Sequence, residues 1–342
     1  MAKLLSNRWS GLVLFVACCF IPLLTDGYTQ YLVNLVFVYI LIAFGQQIIL
    51  GFAGQFSFAN AAFMGIGAYT VALLGTRLGI SFWISLPVAG VLCALIGALV
   101  GLPALRLSRV YLALVTVAFG ELVTFVLLRW NAVTLGSNGV GVESPRAFGY
   151  VFYGDKPIFA IILVVTALLV FVAKRLLDSH FGRAFVAIRE NELVASCSGI
   201  NIAQYKTIAF ALSGFYAGVG GGLFALTLGY IVPEGYNLLQ LVIHFSIVMV
   251  GGVGSFFGTV LGAALLTVLP ELLRGAQAAQ EMLFGALLIV FIVFMPRGVA
   301  GMLKRWRLLP PEILVRGWRE EIGTGAGKRA RFNVGSGGEG DR

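Results

Sequence analysis

Residues 41–69 read LIAFGQQIILGFAGQFSFANAAFMGIGAY. An apolar run ends in a glycine-rich interruption, 51-GFAGQF-56, and a second apolar run begins with Gln55, Ser57 and Asn60 embedded near its start. Crossing a bilayer takes roughly 20 apolar residues, and the runs on either side, 28–50 and 56–75, are long enough. Polar side chains in hydrocarbon need partners, so these three are expected to face a bundle interior or water. A helix broken at Gly51 and Gly54 also frees backbone groups to line a path. Gln55, Ser57 and Asn60 are therefore candidates either for a translocation path or for interhelical hydrogen bonds.

The same pattern extends along all 342 residues, of which 59% are hydrophobic, 11% are charged and 44 are glycine. Such a composition marks a polytopic membrane protein. Ten spans are expected, at 11–24, 28–50, 56–75, 82–102, 110–128, 157–177, 207–229, 238–252, 256–273 and 281–297. The first follows Lys3 and Arg8, and no small-x-small cleavage site precedes Tyr28, so it reads as a retained anchor rather than a signal peptide. The expected fold is an all-α bundle. A second interruption, 251-GGVGSF-256, with breaks at Gly251, Gly252 and Gly254, resembles the first. Ten spans put both interruptions on one side, which suggests a parallel internal repeat.

With the N-terminus cytoplasmic, the inside segments are 1–10, 51–55, 103–109, 178–206, 253–255 and 298–342. Of the 24 Lys and Arg, five fall outside (Arg77, Arg129, Arg146, Lys156 and Arg274), leaving 19 inside or at inner span ends. This bias follows the positive-inside rule, with the tail from Lys304 onward supplying many of the charges. The net charge of +9 thus reads as topology and attraction to anionic lipid. A nucleic-acid role is set aside, since no basic module with interleaved aromatics is present. Cys18, Cys19 and Cys93 fall in spans and Cys197 inside, so no disulfide is expected. No Cys/His pair has zinc spacing.

The tail segment 323-GTGAGKR-329 imitates a phosphate-binding loop but has Ile322 and Arg329 where that loop needs Gly and Ser or Thr. No ATP site of the chain's own is visible, and 304–342 reads as a flexible basic tail. Glu121, in 117-VAFGELVTF-125, is the acidic residue placed deep in a span, a candidate for the path or gate or for a structural hydrogen bond. His244, alone on an apolar helix, reads as an interhelical donor. The longest outside loop, 129–156, reads as turns that either dock a soluble partner or simply connect.

Residues 178–206 form a polar island between apolar runs, with 181-FGRAFVAIRENELVASCSGIN-201 at its heart. Asn191 can N-cap a helix beginning at Glu192, whose charge suits the first turn, and Gly199 suits a left-handed terminator. Two short helices are expected, 183–189 and 192–198, with Arg183, Arg189, Glu190, Asn191, Glu192, Ala195 and Gly199 as coupling residues. Small residues Ala195, Ser196 and Ser198 would let a partner surface approach. The alternative is an interfacial helix on lipid, for which the apolar stripe is poor.

At these residues the chain resembles a known family. From about 28 to 303 it looks like the M-type membrane subunit of bacterial branched-chain amino-acid ABC importers. The resemblance rests on 54-GQFSFANAAFMGIGAYTVALL-74, 110-VYLALVTVAFGELV-123, 136-GSNGVGV-142, the island, 249-MVGGVGSFFGTVLGAALLTVLPELL-273 and 295-MPRGVAG-301. It implies that the island couples to an ATPase, similar in role to the EAA loop of other importers, with Glu192, Ala195 and Gly199 a loose match. It implies a heterodimer with an H-type permease subunit, two cytoplasmic ATPases that bind ATP and magnesium, an external binding protein, and a location in the inner membrane. The chain itself is expected to bind no cofactor. Leucine, isoleucine and valine are the implied substrates; related permeases carry urea, amides or other amino acids. Two other functions are compatible with a polytopic chain: an ion-coupled transporter titrating Glu121, and a scaffold or sensor without flux. Glu192→Lys is expected to leave the protein folded and to uncouple it.

Overall fold

The computed structural model describes residues 27–104, 107, 109–147, 150–152, 154–272, 285–286, 289 and 298–305. Segment 1–10, the expected span 11–24, most of the expected span 281–297, and the tail beyond Arg305 lie outside the described residues.

Helix α1 (Gly27–Gln46) runs straight into a π-helical turn, Gln47–Phe52. Then come α2 (Asn60–Leu78), α3 (Phe82–Ala104), α4 (Arg109–Arg129) and the short α5 (Asn131–Thr134). After a connector, α6 (Asp155–Asp178) leads into α7 (His180–Glu190), α8 (Glu192–Cys197) and α9 (Ile202–Leu228). The chain continues as α10 (Leu238–Gly251), α11 (Phe256–Leu272) and α12 (Gly298–Arg305).

Among the described residues six helices are long and apolar enough to cross a membrane: Gly27–Phe52, Asn60–Leu78, Phe82–Pro103, Val110–Arg129, Lys156–Asp178 and Ile202–Leu228. The protein is a multi-pass, mainly helical membrane protein. The expected spans 238–252 and 256–273 are helical too, but as 14 and 17 residues. At 1.5 Å per residue these reach about 21 and 25 Å, short of a hydrocarbon core of about 30 Å.

Helix α9 is the axis of the bundle and packs against α3, α2 and α1. Lipid supplies no hydrophobic drive between helices, so close van der Waals contact must hold them. Glycines make that contact possible. A Cβ on Gly67 would overlap the Gly218 backbone, and one on Gly221 would overlap the Met64 backbone. The best 18-residue window of α9 is 72% buried, against 22% for that of α4. Helix α4 thus stands at the rim with one face uncovered.

Opposite the island, the connector after α4 folds back over the bundle. Two short strands, β1 (Val140–Gly141) and β2 (Arg146–Ala147), precede β3 (Tyr150–Val151). β1 pairs antiparallel with β4 (Tyr230–Ile231), which follows α9, in register Val140↔Ile231. β2 pairs with β3. The stretch expected to consist of turns therefore holds two minimal ladders, and Trp83 Nε1 donates to the Arg146 carbonyl at 3.2 Å. The loop is tied to the bundle instead of hanging from it.

Candidate functional site: the island and the two glycine breaks

The island folds by local capping. Ser179 Oγ accepts from the Phe181 amide at 3.2 Å and starts α7. Asn191 Oδ1 accepts from the Leu193 and Val194 amides at 3.0 and 3.2 Å and starts α8. Gly199, at φ +80°, ends it. The Ile200 amide donates to the Ala195 carbonyl and the Gly199 amide to the Ser196 carbonyl, the paired bonds of a Schellman motif. Both expected caps are in place, and α7 begins three residues earlier than the sequence suggests, at His180.

Capping leaves the island with two sides. Phe185, Ile188 and Ala195 are buried against the bundle. Leu193 and Val194 are 77% and 58% exposed, and Arg183 is exposed as well. Glu192 lies between the two sides. Its carboxylate meets Lys206 Nζ of α9 at 2.8 and 2.9 Å, with the lysine side chain 7% exposed. Its first partner is therefore intramolecular. Lys206, read in the sequence as part of the polar connector, is a buried cation that this carboxylate neutralises.

The inner side of the island meets both glycine breaks. The π turn leaves α1 with irregular bonds, from the Ala53 amide to the Ile48 carbonyl and from the Gln55 amide to the Ile49 carbonyl. Gly54 then takes φ +67°. In the second break Gly252 and Gly254 take φ +115° and +77°, and a Cβ on Gly251 would overlap the Gly258 backbone of α11. The two breaks touch each other. A Cβ on Gly51 would lie 2.7 Å from the Gly254 nitrogen. Gln47 Nε2 donates across the gap to the carbonyls of Gly252 and Ser255 at 3.1 and 3.2 Å.

Arg189, at the end of α7, closes this joint. Its Nη1 donates to the Gly51 carbonyl at 2.6 Å, and its Nη2 donates to Glu190 Oε1 at 2.8 Å. Its Cγ lies 2.6 Å from where a Cβ on Gly54 would sit, and Nη1 lies 2.8 Å from the same position on Gly254.

Deeper in the bundle a polar row joins three helices. Asn60 Nδ2 donates to the Ile42 carbonyl at 3.3 Å and lies 3.5 Å from His244 Nδ1. His244 Nε2 lies 3.1 Å from Gln240 Nε2, which donates to Tyr39 Oη at 2.8 Å. Asn60 and His244 are both buried. Gln55 and Ser57 are buried nearby but bond locally: Gln55 Nε2 donates to the Ala53 carbonyl, and Ser57 Oγ accepts from the Ala59 amide. Glu121 stands apart from this row, exposed on the uncovered face of α4. Gln47, Gln240 and Lys206 were not legible as site residues. A single polar letter inside a hydrophobic or connector segment gives no sign of a partner far along the chain.

Irregular backbone at membrane depth is tolerated where it is buried in protein or lines a cavity. A multi-pass bundle with two such breaks held against a short capped loop helix is the build of a permease subunit. Residues 28–293 match the family described as the branched-chain amino acid transport system / permease component, and the chain belongs to that family. It is 34% identical over 307 residues to the high-affinity branched-chain amino acid transport system permease protein LivM of Escherichia coli (strain K12), covering 82% of this chain and 72% of that one. It is 27% identical over 297 residues to the permease protein BraD of Pseudomonas aeruginosa, covering 80% and 96%. Against LivH of Salmonella typhimurium it is 29% identical over 291 residues, covering 77% and 91%. No solved structure matches the chain.

Proposed function

We propose that this chain is the M-type permease subunit of an ABC importer that carries leucine, isoleucine and valine across the bacterial inner membrane. ATP and magnesium bind to two separate ATPase subunits, and an external binding protein delivers the substrate. The island faces the cytosol, as do both termini, and α8 docks into a groove on one ATPase. The observation that carries this reading is the two-sided island: Leu193 and Val194 project outward while Arg189 on the same unit bonds the first break and lies against the second. A capped helix exposing two aliphatic side chains suits a protein groove. Nucleotide-driven movement there would rock the bundle between outward- and inward-facing states.

The remaining expectations fit this reading. Ten spans arise if the segments 11–24 and 281–297 cross the membrane and α10 and α11 are completed by their flanks. The paired breaks are the related points of a parallel repeat. The uncovered stripe of α4, with Leu114, Ala118, Glu121 and Phe125, is where the homologous H-type subunit packs. A carboxylate facing lipid is expensive, so a polar group of that subunit meets Glu121 at the seam. This keeps Glu121 beside the path without making it an ion-coupling acid. Gln55 lies within the first break and Ser57 and Asn60 just after it, where a moving backbone would expose them.

The test is reconstitution of the chain with its H-type partner, ATPases and binding protein in liposomes, followed by uptake of labelled leucine, urea and acetamide. ATP-dependent uptake of leucine is expected. Uptake of urea or acetamide in preference to leucine would overturn the substrate assignment.

A further inference from the structure

We infer that Arg189 is the positioning residue through which island movement reaches both glycine breaks at once. This rests on the coupling role of the island proposed above.

Three segments remote in sequence meet at this one side chain. The guanidinium offers five donors in a rigid fork, so it can hold more than one backbone group. One donor holds the Gly51 carbonyl, where the π turn ends the regular bonding of α1. That is a helix C-terminus, whose partial negative charge favours a cation. The stem of Arg189 fills the space where Gly54 lacks a side chain, and its Nη1 fills that of Gly254. Glu190 holds the other nitrogen and fixes the plane of the fork. Gln47 ties the two breaks together, so displacement of one pulls the other.

Helix α7 joins the docking helix through a single extended residue, Asn191, which ends α7 and caps α8. A push on Leu193 and Val194 therefore moves Arg189. The movement arrives where the backbone is already irregular.

The experiment compares Arg189→Ala, Arg189→Lys and Leu193→Asp in the complete reconstituted transporter. It measures co-purification of the ATPases, ATP hydrolysis and leucine taken up per ATP. Arg189→Ala is expected to retain the ATPases and hydrolyse ATP within about twofold of the parent, while uptake per ATP falls at least tenfold. Arg189→Lys keeps the charge and stem but not the fork, and its ratio should fall severalfold. If Arg189→Ala does not assemble, the lysine variant decides alone. An unchanged ratio in the lysine variant, including one in which hydrolysis and uptake fall in proportion, overturns the inference and returns Arg189 to a static support. Leu193→Asp reports on the underlying reading separately, because it should shed the ATPases. If it retains them with normal uptake, the docking role itself fails, whatever the Arg189 variants do.

Discussion

Gly51 and Gly254 lie in different breaks and touch through bare backbone: a Cβ on the first would stand 2.7 Å from the amide nitrogen of the second. Gly51→Ala should therefore wedge the breaks apart. Overpacking of this kind costs about 1–3 kcal/mol, and a lower melting temperature in detergent is expected together with reduced uptake. Gly254→Ala adds backbone strain at φ +77° to a collision with Arg189, and should be the worse of the two. A Gly254→Ala variant more stable than Gly51→Ala would contradict the packing described.

Glu192 and Lys206 form an ion pair with one side buried and the other part-exposed. Glu192→Lys would face Lys206 with a second cation, so the expectation that this change leaves the fold intact is revised. Solvent reaches the carboxylate, which brings the loss to about 1–3 kcal/mol. The reversed pair, Glu192→Lys with Lys206→Glu, should recover part of it. Equal melting temperatures for the single reversal and the parent would remove the pair from the account.

Leu193 and Val194 touch little of the bundle, so Leu193→Asp and Val194→Asp should leave its stability within about 0.5 kcal/mol of the parent. What they should remove is retention of the ATPases on an affinity column. Destabilisation of the isolated chain would show that these side chains serve the fold.

Asn60 and His244 join α2 to α10. Interhelical hydrogen bonds in membranes are worth about 0.6 kcal/mol on average and up to about 1.7. His244→Ala and Asn60→Ala should each destabilise by that order, and the double variant by less than the sum. Strict additivity in the cycle would show that the two side chains do not interact.

Much of this architecture is visible in the sequence because hydropathy is a local property. The runs 28–50, 82–102, 110–128 and 157–177 became helices close to those limits, and the 207–229 run gained more than a turn at its start, beginning at Ile202. The caps at Asn191 and Gly199 were equally legible, since a cap depends on one residue and its immediate neighbours. Glu121 shows the limit. Its place within a span was readable, but α4 is apolar all round, so no periodicity told which face is uncovered. Arg189 shows it more sharply, for its contacts with Gly51, Gly54 and Gly254 depend on how three distant segments converge. The β1–β4 ladder was unreadable for the same reason.

The central claim is that work enters this chain from another polypeptide through the island. Its most direct test is leucine accumulation in liposomes that hold the complete transporter, compared with liposomes that hold this chain alone. Accumulation against a gradient is predicted only in the complete set, only with ATP, and not after Leu193→Asp. Accumulation by the isolated chain, driven by a proton or sodium gradient, would contradict it.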